Sequence, residues 1–325
     1  MLITRTPLRI SLGGGGTDLP SYYRRCGASV LSAAISKYVF IGINRTFSDD
    51  YFLKYSEMER VREVHEIRHP IIREALTMHD VGPALELVSL ADIPAGTGLG
   101  SSGTFTVGLL RALHALKREH VATADLAEEA CHLEIDRLHR PVGKQDQYIA
   151  AHGGLTCFEF SPDDTVSVSP LRISNETLHD LEERLLLFFT GYSRNADHAL
   201  NEQAARSEAG DRGLLAQLDE VASIGLQVRQ ALERGDTHGF AALMHEHWER
   251  KQRRGLSTPA IDRWYEVGRA SGALGGKLVG AGAGGFLMLY AGDPDALRNA
   301  MSAEGLAELR FMFDHDGSTV TARDP

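Results

Sequence analysis

Glycine placement sets the tightest limit on what this chain can fold into. Fifteen of its 33 glycines fall in three short segments: Gly13 to Gly16, then Gly96, Gly98, Gly100 and Gly103, and seven between Gly272 and Gly285. Glycine weakens helices and strands and belongs where the backbone turns through positive φ or another group comes close. Each segment abuts strand-like or helix-like sequence, and the three differ from one another, so low complexity does not explain them. Three places of sharp turning and close approach are expected.

The rest of the chain reads as ordinary α+β protein. Its 325 residues give a soft expectation of two domains, and 43% hydrophobic residues suffice for sizeable cores. No segment approaches the roughly 18 apolar residues of a membrane helix, and MLITRTPLRISL lacks the apolar core of a secretory signal, which predicts a cytoplasmic protein. A net charge of −10 without a basic run argues against a nucleic-acid partner. Cys26, Cys131 and Cys157 are too scattered for a disulfide framework or a CxxC metal site and are expected as buried free thiols.

Ile3 to Leu12, Tyr38 to Ile43, Leu85 to Ala91, Gly154 to Phe160, Thr165 to Ile173, Leu185 to Phe189 and Phe286 to Tyr290 have strand character, with a further strand expected near Glu308 to Asp314. Helical spacing marks 57–79 with a break at Pro70, and then 104–117, 123–138, about 195–234, 236–254 and 259–271. VGKQDQY, after Pro141, is expected as a loop. Strands and helices mix without a regular βαβ period, which favours α+β over a doubly wound sheet. The polar stretch at 174–184 suggests a boundary between domains 1–180 and 181–325.

The middle glycine segment carries the most chemistry. Strand, then PAGTGLGSSG, then helix gathers free backbone N–H groups and a helix N-terminus at one point, an anion site suited to phosphate. Ser101 and Ser102 could cap that helix or contact a phosphate or its metal. A Walker A loop is excluded, because Gly276-Lys277 is followed by Leu278. Gly98-Leu-Gly100-Ser-Ser-Gly103 spells GxGxxG, but a second helix, not an acid-tipped strand, follows, so the dinucleotide reading fails on context.

In order, the three segments resemble the three motifs of the GHMP kinases, the superfamily of galactokinase, homoserine kinase, mevalonate kinase and phosphomevalonate kinase. Thr6-Pro-Leu-Arg-Ile-Ser-Leu-Gly-Gly-Gly-Gly-Thr-Asp18 is similar to the first, Pro94-Ala-Gly-Thr-Gly-Leu-Gly-Ser-Ser102 to the second, and Lys277-Leu-Val-Gly-Ala-Gly-Ala-Gly-Gly285 to the third. The resemblance implies an α+β, two-domain fold, with an N-terminal domain like ribosomal protein S5 and a ferredoxin-like C-terminal domain. Within the superfamily, the four-glycine run with Thr17-Asp18, Pro141-Val-Gly-Lys-Gln-Asp-Gln-Tyr148 and Thr190-Gly-Tyr-Ser-Arg-Asn-Ala196 look most like kinases of heptose 7-phosphate. These phosphorylate the anomeric C1 hydroxyl to a 1,7-bisphosphate for nucleotide-activated heptose, a capsule or surface polysaccharide precursor. Galactokinases carry Gly-Glu-His where this chain has Gly14-Gly15-Gly16, so two groups that grip a small sugar are missing.

Residue roles follow from the resemblance. Asp146 is the base facing the sugar hydroxyl, with Lys144 as a nearby cation, and Arg9 approaches base and transferred phosphate. Gly96, Thr97, Gly98, Leu99, Gly100, Ser101, Ser102 and Gly282 are expected around the nucleotide, ATP. Glu134 and Ser102 are expected to hold Mg²⁺, with Asp136 as rival to Glu134. Gly14, Gly15, Gly16, Thr17, Asp18, Lys144, Gly191 and Arg194 are expected at the sugar phosphate, with Arg194 and then Lys144 on its phosphate. Asp18 could instead cap its own helix. Lys251, Arg253 and Arg254 read as a solvated helix end, and Trp248 and Trp264 as core. A kinase of another sugar, of the L-fucose or galactose type, and a catalytically silent sugar sensor are the competing readings.

Overall fold

The computed structural model describes all residues except 192–195, 281, 283, 324 and 325, and the side chains of 196–200 also lie outside the described set. The first half runs β1 (Leu2–Gly13), α1 (Pro20–Cys26), β2 (Ala28–Arg45), β3 (Tyr51–Lys54), β4 (Met58–Val61), α2 (Pro70–Met78), β5 (Leu85–Ala91), α3 (Ser101–Lys117), α4 (Thr123–Cys131), α5 (Gln145–His152), β6 (Leu155–Phe160), β7 (Val166–Pro170) and α6 (Asn175–Arg184). The second runs β8 (Leu185–Gly191), α7 (Ala196–Glu208), α8 (Arg212–Glu233), α9 (Thr237–Arg253), α10 (Pro259–Ala270), β9 (Ala273–Val279), β10 (Gly285–Ala291), α11 (Pro294–Ala303), β11 (Glu308–Leu309) and β12 (Thr319–Arg323).

The larger sheet has the order β12-β1-β2-β5-β3-β4. The 18-residue β2 is its spine: it pairs with β1 along one edge and, on the other, with β6 through its first part and β5 through its last. Leu8, Ile10 and Leu12 of β1 and Val107, Leu110 and Leu113 of α3 share the main core, each stabilising by roughly 1.5–3 kcal/mol on burial. The smaller sheet is antiparallel, β11-β8-β10-β9. Every residue of β10 is buried, as its unbroken apolar sequence demands. Trp248, Tyr265, Leu297 and Met301 pack on Leu278, Leu287 and Leu289 as a second core, with Trp264 at its margin.

The third glycine segment joins the halves. A Cβ on Gly98, whose φ is +80°, would sit 2.7 Å from the carbonyl oxygen of Val279, and one on Gly280 would sit 2.6 Å from the Gly98 Cα. The end of β9 thus lies directly on the middle glycine loop, an approach that side chains would block.

Several elements differ from expectation. Residues 57–69 are not helical, because β4 pairs with β3 and only a 3₁₀ turn follows, and Pro70 opens α2 instead of breaking a helix. Pro suits that first position, where its missing N–H is not needed. The loop expected at 142–148 ends early, so Asp146 lies in the first turn of α5. The 174–184 stretch is α6, capped by Ser174. Gly210, at φ +73°, separates α7 from α8. The last strand, β12, returns to pair with β1 in the larger sheet. Cys131 and Cys157 are buried free thiols, but Cys26, ending α1, is exposed.

Candidate active site

Arg9 sits within β1, where its backbone N–H donates to the Leu99 carbonyl at 3.0 Å and ties the strand to the glycine loop. Its side chain is buried, at 6% exposure, and each of its three nitrogens makes a hydrogen bond. Nε and Nη2 donate to the two Asp146 carboxylate oxygens at 2.7 and 3.0 Å, and Nη1 donates to the Gly98 carbonyl at 2.6 Å. A bidentate guanidinium–carboxylate pair fixes orientation as well as charge. The start of α3 presses on the same carboxylate: a Cβ at Gly103 would lie 2.7 Å from the Asp146 Cβ. Arg9, Asp146 and the phosphate-type loop therefore meet at one point.

Asp146 is held through the backbone by Asp18. The α5 N-terminus has no cap from its own neighbour; instead Asp18 Oδ2 accepts from the Gln145 N–H at 3.1 Å, while Oδ1 accepts from the Gly16 N–H at 3.0 Å. A distant carboxylate thus does what a capping residue would do, and Asp18 does not cap α1, whose N-cap is Leu19. Burial, and then the negative charge of Asp146, hold the Asp18 pKa above the usual carboxylate value.

Some expected sugar-side residues are occupied elsewhere. Lys144 is not beside Asp146: its ammonium donates to both Glu128 oxygens at 2.9 and 3.0 Å and to the Asp164 carbonyl at 3.2 Å. The positive partner of Asp146 is Arg9. The Thr17 hydroxyl donates to the Gly14 carbonyl at 2.7 Å, and Gly14 itself packs against Ser29, so these two close the turn that presents Gly15, Gly16 and Asp18. Gly191, at the end of β8, pairs with Gly285 and does not line the cavity described below. Arg194 lies outside the described residues.

In the glycine loop Gly96, Gly98 and Gly100 all have φ near +80°. Gly100 is the N-cap of α3 and no side chain caps that helix, which leaves its first N–H groups and positive dipole end available to an anion. Neither Ser101 nor Ser102 caps it. Leu99 is buried in the core and the Thr97 hydroxyl donates to the Pro94 carbonyl at 3.2 Å, so both can serve a ligand only through the backbone. Gly282 packs on Leu256, and it is Gly280 and Gly285 that touch the Thr97-Gly98 backbone.

Glu134 lies in a π-helical turn, His132–Arg137, that continues α4 and rotates the carboxylate inward to 0% exposure. The Ser102 hydroxyl donates to its Oε2 at 2.8 Å and Gln147 Nε2 to its Oε1 at 2.9 Å. Asp136 points away and accepts from or shares a proton with His132 Nδ1 at 2.9 Å at the surface. The Arg140 guanidinium contacts both Ser102 and Glu134, a partner that the sequence had not suggested. The carboxylate and adjacent hydroxyl are hard oxygen donors of the kind Mg²⁺ takes, so the residues fit that ion.

A cavity of about 130 Å³ opens beside the Arg9–Asp146 pair, lined by Gly15, Gly16 and Asp18 on one side and by His247, Lys251, Arg254 and Lys277 on the other. Sequence reading placed Lys251, Arg253 and Arg254 in solvent. Only Arg253 is exposed; Lys251 donates to the Leu278 and Gly280 carbonyls at 2.9 and 2.6 Å. The missed signal was helical phase. His247, Lys251 and Arg254 continue the face that Phe240 and Met244 bury, whereas Arg253 is rotated off it.

The family model described as the GHMP kinases N terminal domain matches residues 53–154, and that of the GHMP kinases C terminal matches 228–307. A D-glycero-alpha-D-manno-heptose 7-phosphate kinase of Campylobacter jejuni is 30% identical over 92% of this chain and 92% of its own length. The chain belongs to the GHMP kinase family. Another relative of this GHMP kinase is the L-fucokinase/L-fucose-1-P guanylyltransferase of Bacteroides fragilis, 26% identical over 90% of this chain but only 35% of that larger protein. Among solved structures, a D-glycero-D-manno-heptose 1-phosphate kinase from Bacteroides thetaiotaomicron superposes with a TM-score of 0.79 at 24% identity over 100% of both chains. Lactococcus lactis galactokinase complexed with galactose does so with a TM-score of 0.79 at 17% identity, over 98% of this chain and 94% of that one. These two likenesses establish the two-domain GHMP kinase fold.

Proposed function

We propose that this GHMP kinase transfers the γ-phosphate of ATP to the anomeric C1 hydroxyl of D-glycero-D-manno-heptose 7-phosphate, giving the 1,7-bisphosphate for nucleotide-activated heptose synthesis in the cytoplasm. The observation that carries the reading is the bidentate Arg9–Asp146 pair at the junction of the uncapped α3 N-terminus and a cation-rich cavity. The 30% identical relative named for heptose 7-phosphate supports the choice of sugar.

Phosphoryl transfer needs a held phosphate, neutralised charge and an oriented nucleophile. The Gly96–Ser102 backbone and the α3 dipole receive the nucleotide phosphates. Asp146 accepts the proton of the sugar hydroxyl, and Arg9 keeps that carboxylate oriented and faces the charge that develops on the transferred group. Asp18 holds α5, and so Asp146, in register. Mg²⁺, held by Ser102 and Glu134, would supply positive charge to the nucleotide phosphates. The domains are proposed as 1–180 and 181–325, with β12 completing the first sheet.

Phosphorus NMR of the product from heptose 7-phosphate tests this. A new anomeric phosphate beside an unchanged 7-phosphate is expected. Phosphorylation at any other carbon, or hydrolysis of ATP alone, overturns it.

A further inference from the structure

Three buried or half-buried basic side chains, Lys251, Arg254 and Lys277, line one wall of the cavity. Lys251 is 8% exposed and Lys277 2%. Lys251 donates only to two carbonyls, Lys277 to the Leu12 carbonyl at 3.0 Å with His247 Nδ1 at 3.3 Å, and Arg254 to Gln203 Oε1. None of the three pairs with a carboxylate among the described residues. Arg9, nearby, is already committed to Asp146.

Buried charges are ordinarily paired, because desolvation without a partner is costly. Here the cations also repel one another. Burial and then the charges of Arg254 and Arg9 lower the Lys251 ammonium to about 7. The same causes, burial first and then Lys251 and Arg9, hold Lys277 far below its ordinary value. A bound anion would relieve that repulsion and favour the protonated forms. None of Gly96 to Ser102 lines the cavity, whereas Gly15, Gly16 and Asp18 of the sugar side do.

We infer that Lys251 and Arg254, backed by Lys277 and His247, form the subsite for a phosphomonoester dianion, and that the phosphate it takes is the one the sugar carries into the reaction. The inference rests on the proposed sugar-phosphate substrate and puts Lys251 and Arg254, in place of Lys144, on that phosphate. Gln203 serves the subsite from α7: its Nε2 donates to the Gly16 carbonyl at 2.9 Å and its Oε1 accepts from Arg254. One side chain thus links the cation wall to the glycine turn. Lys251 contributes its third N–H and Arg254 its remaining donors, a point charge beside a planar fork.

The test uses the full-length enzyme and the variants Lys251→Met and Arg254→Gln. Steady-state kinetics are measured with heptose 7-phosphate, with dephosphorylated heptose and with ATP. Binding of inorganic phosphate, and its inhibition pattern, are measured separately by calorimetry and kinetics. Each variant should raise KM for heptose 7-phosphate by about 10- to 100-fold and leave KM for ATP within about threefold, so that the preference for the phosphorylated over the dephosphorylated sugar falls by about 10-fold or more. Inorganic phosphate should compete with the sugar phosphate and bind each variant at least about tenfold more weakly. A rise in KM for ATP instead would assign the subsite to the γ-phosphate and overturn the inference, as would equal losses on both sugars. Failure of wild type to turn over heptose 7-phosphate, with Lys251-dependent phosphate binding intact, would overturn the choice of substrate and leave the anion site standing.

Discussion

Lys251→Met sets stability against function at one position. In the folded protein the ammonium titrates near 7 rather than at its ordinary 10.5, a difference worth about 5 kcal/mol at 1.36 kcal/mol per pH unit. Because the folded value is the lower one, the cost is complete below pH 7 and fades as pH rises from 7 toward 10.5. Methionine keeps the apolar stem and removes the charge, but abandons the carbonyls of Leu278 and Gly280, at about 1 kcal/mol each. The net expectation is a gain of about 2–3 kcal/mol at pH 6.5, several degrees in Tm at roughly 2–4 °C per kcal/mol. Chemical denaturation of both proteins at pH 6.5 and 9.5 checks it. The gain should shrink by more than about half at the higher pH. A variant that is less stable than wild type at pH 6.5, or more stable by the same margin at both values, would refute the reasoning that this cation is buried without a counter-charge.

Other expectations concern the chemistry directly. Asp146→Asn keeps the shape but removes the proton acceptor, so kcat should fall at least about 100-fold while calorimetric ATP affinity stays within about threefold; a variant with more than half of wild-type kcat contradicts the assignment. Gly103→Ala drives a Cβ to 2.7 Å from the Asp146 Cβ and should cut kcat by about 100-fold through misplacement, with the overall fold intact by circular dichroism. The KM for heptose 7-phosphate should climb by up to about tenfold per pH unit above 7 as Lys251 loses its proton, while the KM for ATP stays flat. His247 from α9, Arg254 just after it, Arg9 from β1, Lys277 from β9, and Asp18 and Asp146 all line the cavity with that group, and a KM for heptose 7-phosphate that is flat between pH 7 and 9 would remove Lys251 from it.

What the sequence disclosed here was governed by locality. The glycine loop, Arg9, Asp146 and Glu134 were legible because each belongs to a short motif whose spacing carries its chemistry. The helix at Asp146 was not, because the cap that starts α5 is Asp18, 128 positions earlier than Asp146 by number and visible only through its bonds to Gly16 and Gln145. The role of Lys251 was misread because a charge run at a helix end usually faces water. Only its phase with Phe240 and Met244 distinguishes it from Arg253. Residues 57–69 resembled helix because their apolar spacing suits one, but pairing of β4 with β3 prevailed over that local preference. Lys144 was placed at the substrate by sequence proximity to Asp146, whereas Glu128, on a neighbouring helix, holds it.

The ratio of kcat/KM for heptose 7-phosphate to that for dephosphorylated heptose bears most directly on the assignment of a phosphate-carrying sugar to this cavity. A preference of about 100-fold or more for the phosphorylated sugar is expected from two charged contacts at the cation wall. Equal turnover of the two sugars, or faster turnover of unphosphorylated hexoses, would contradict it.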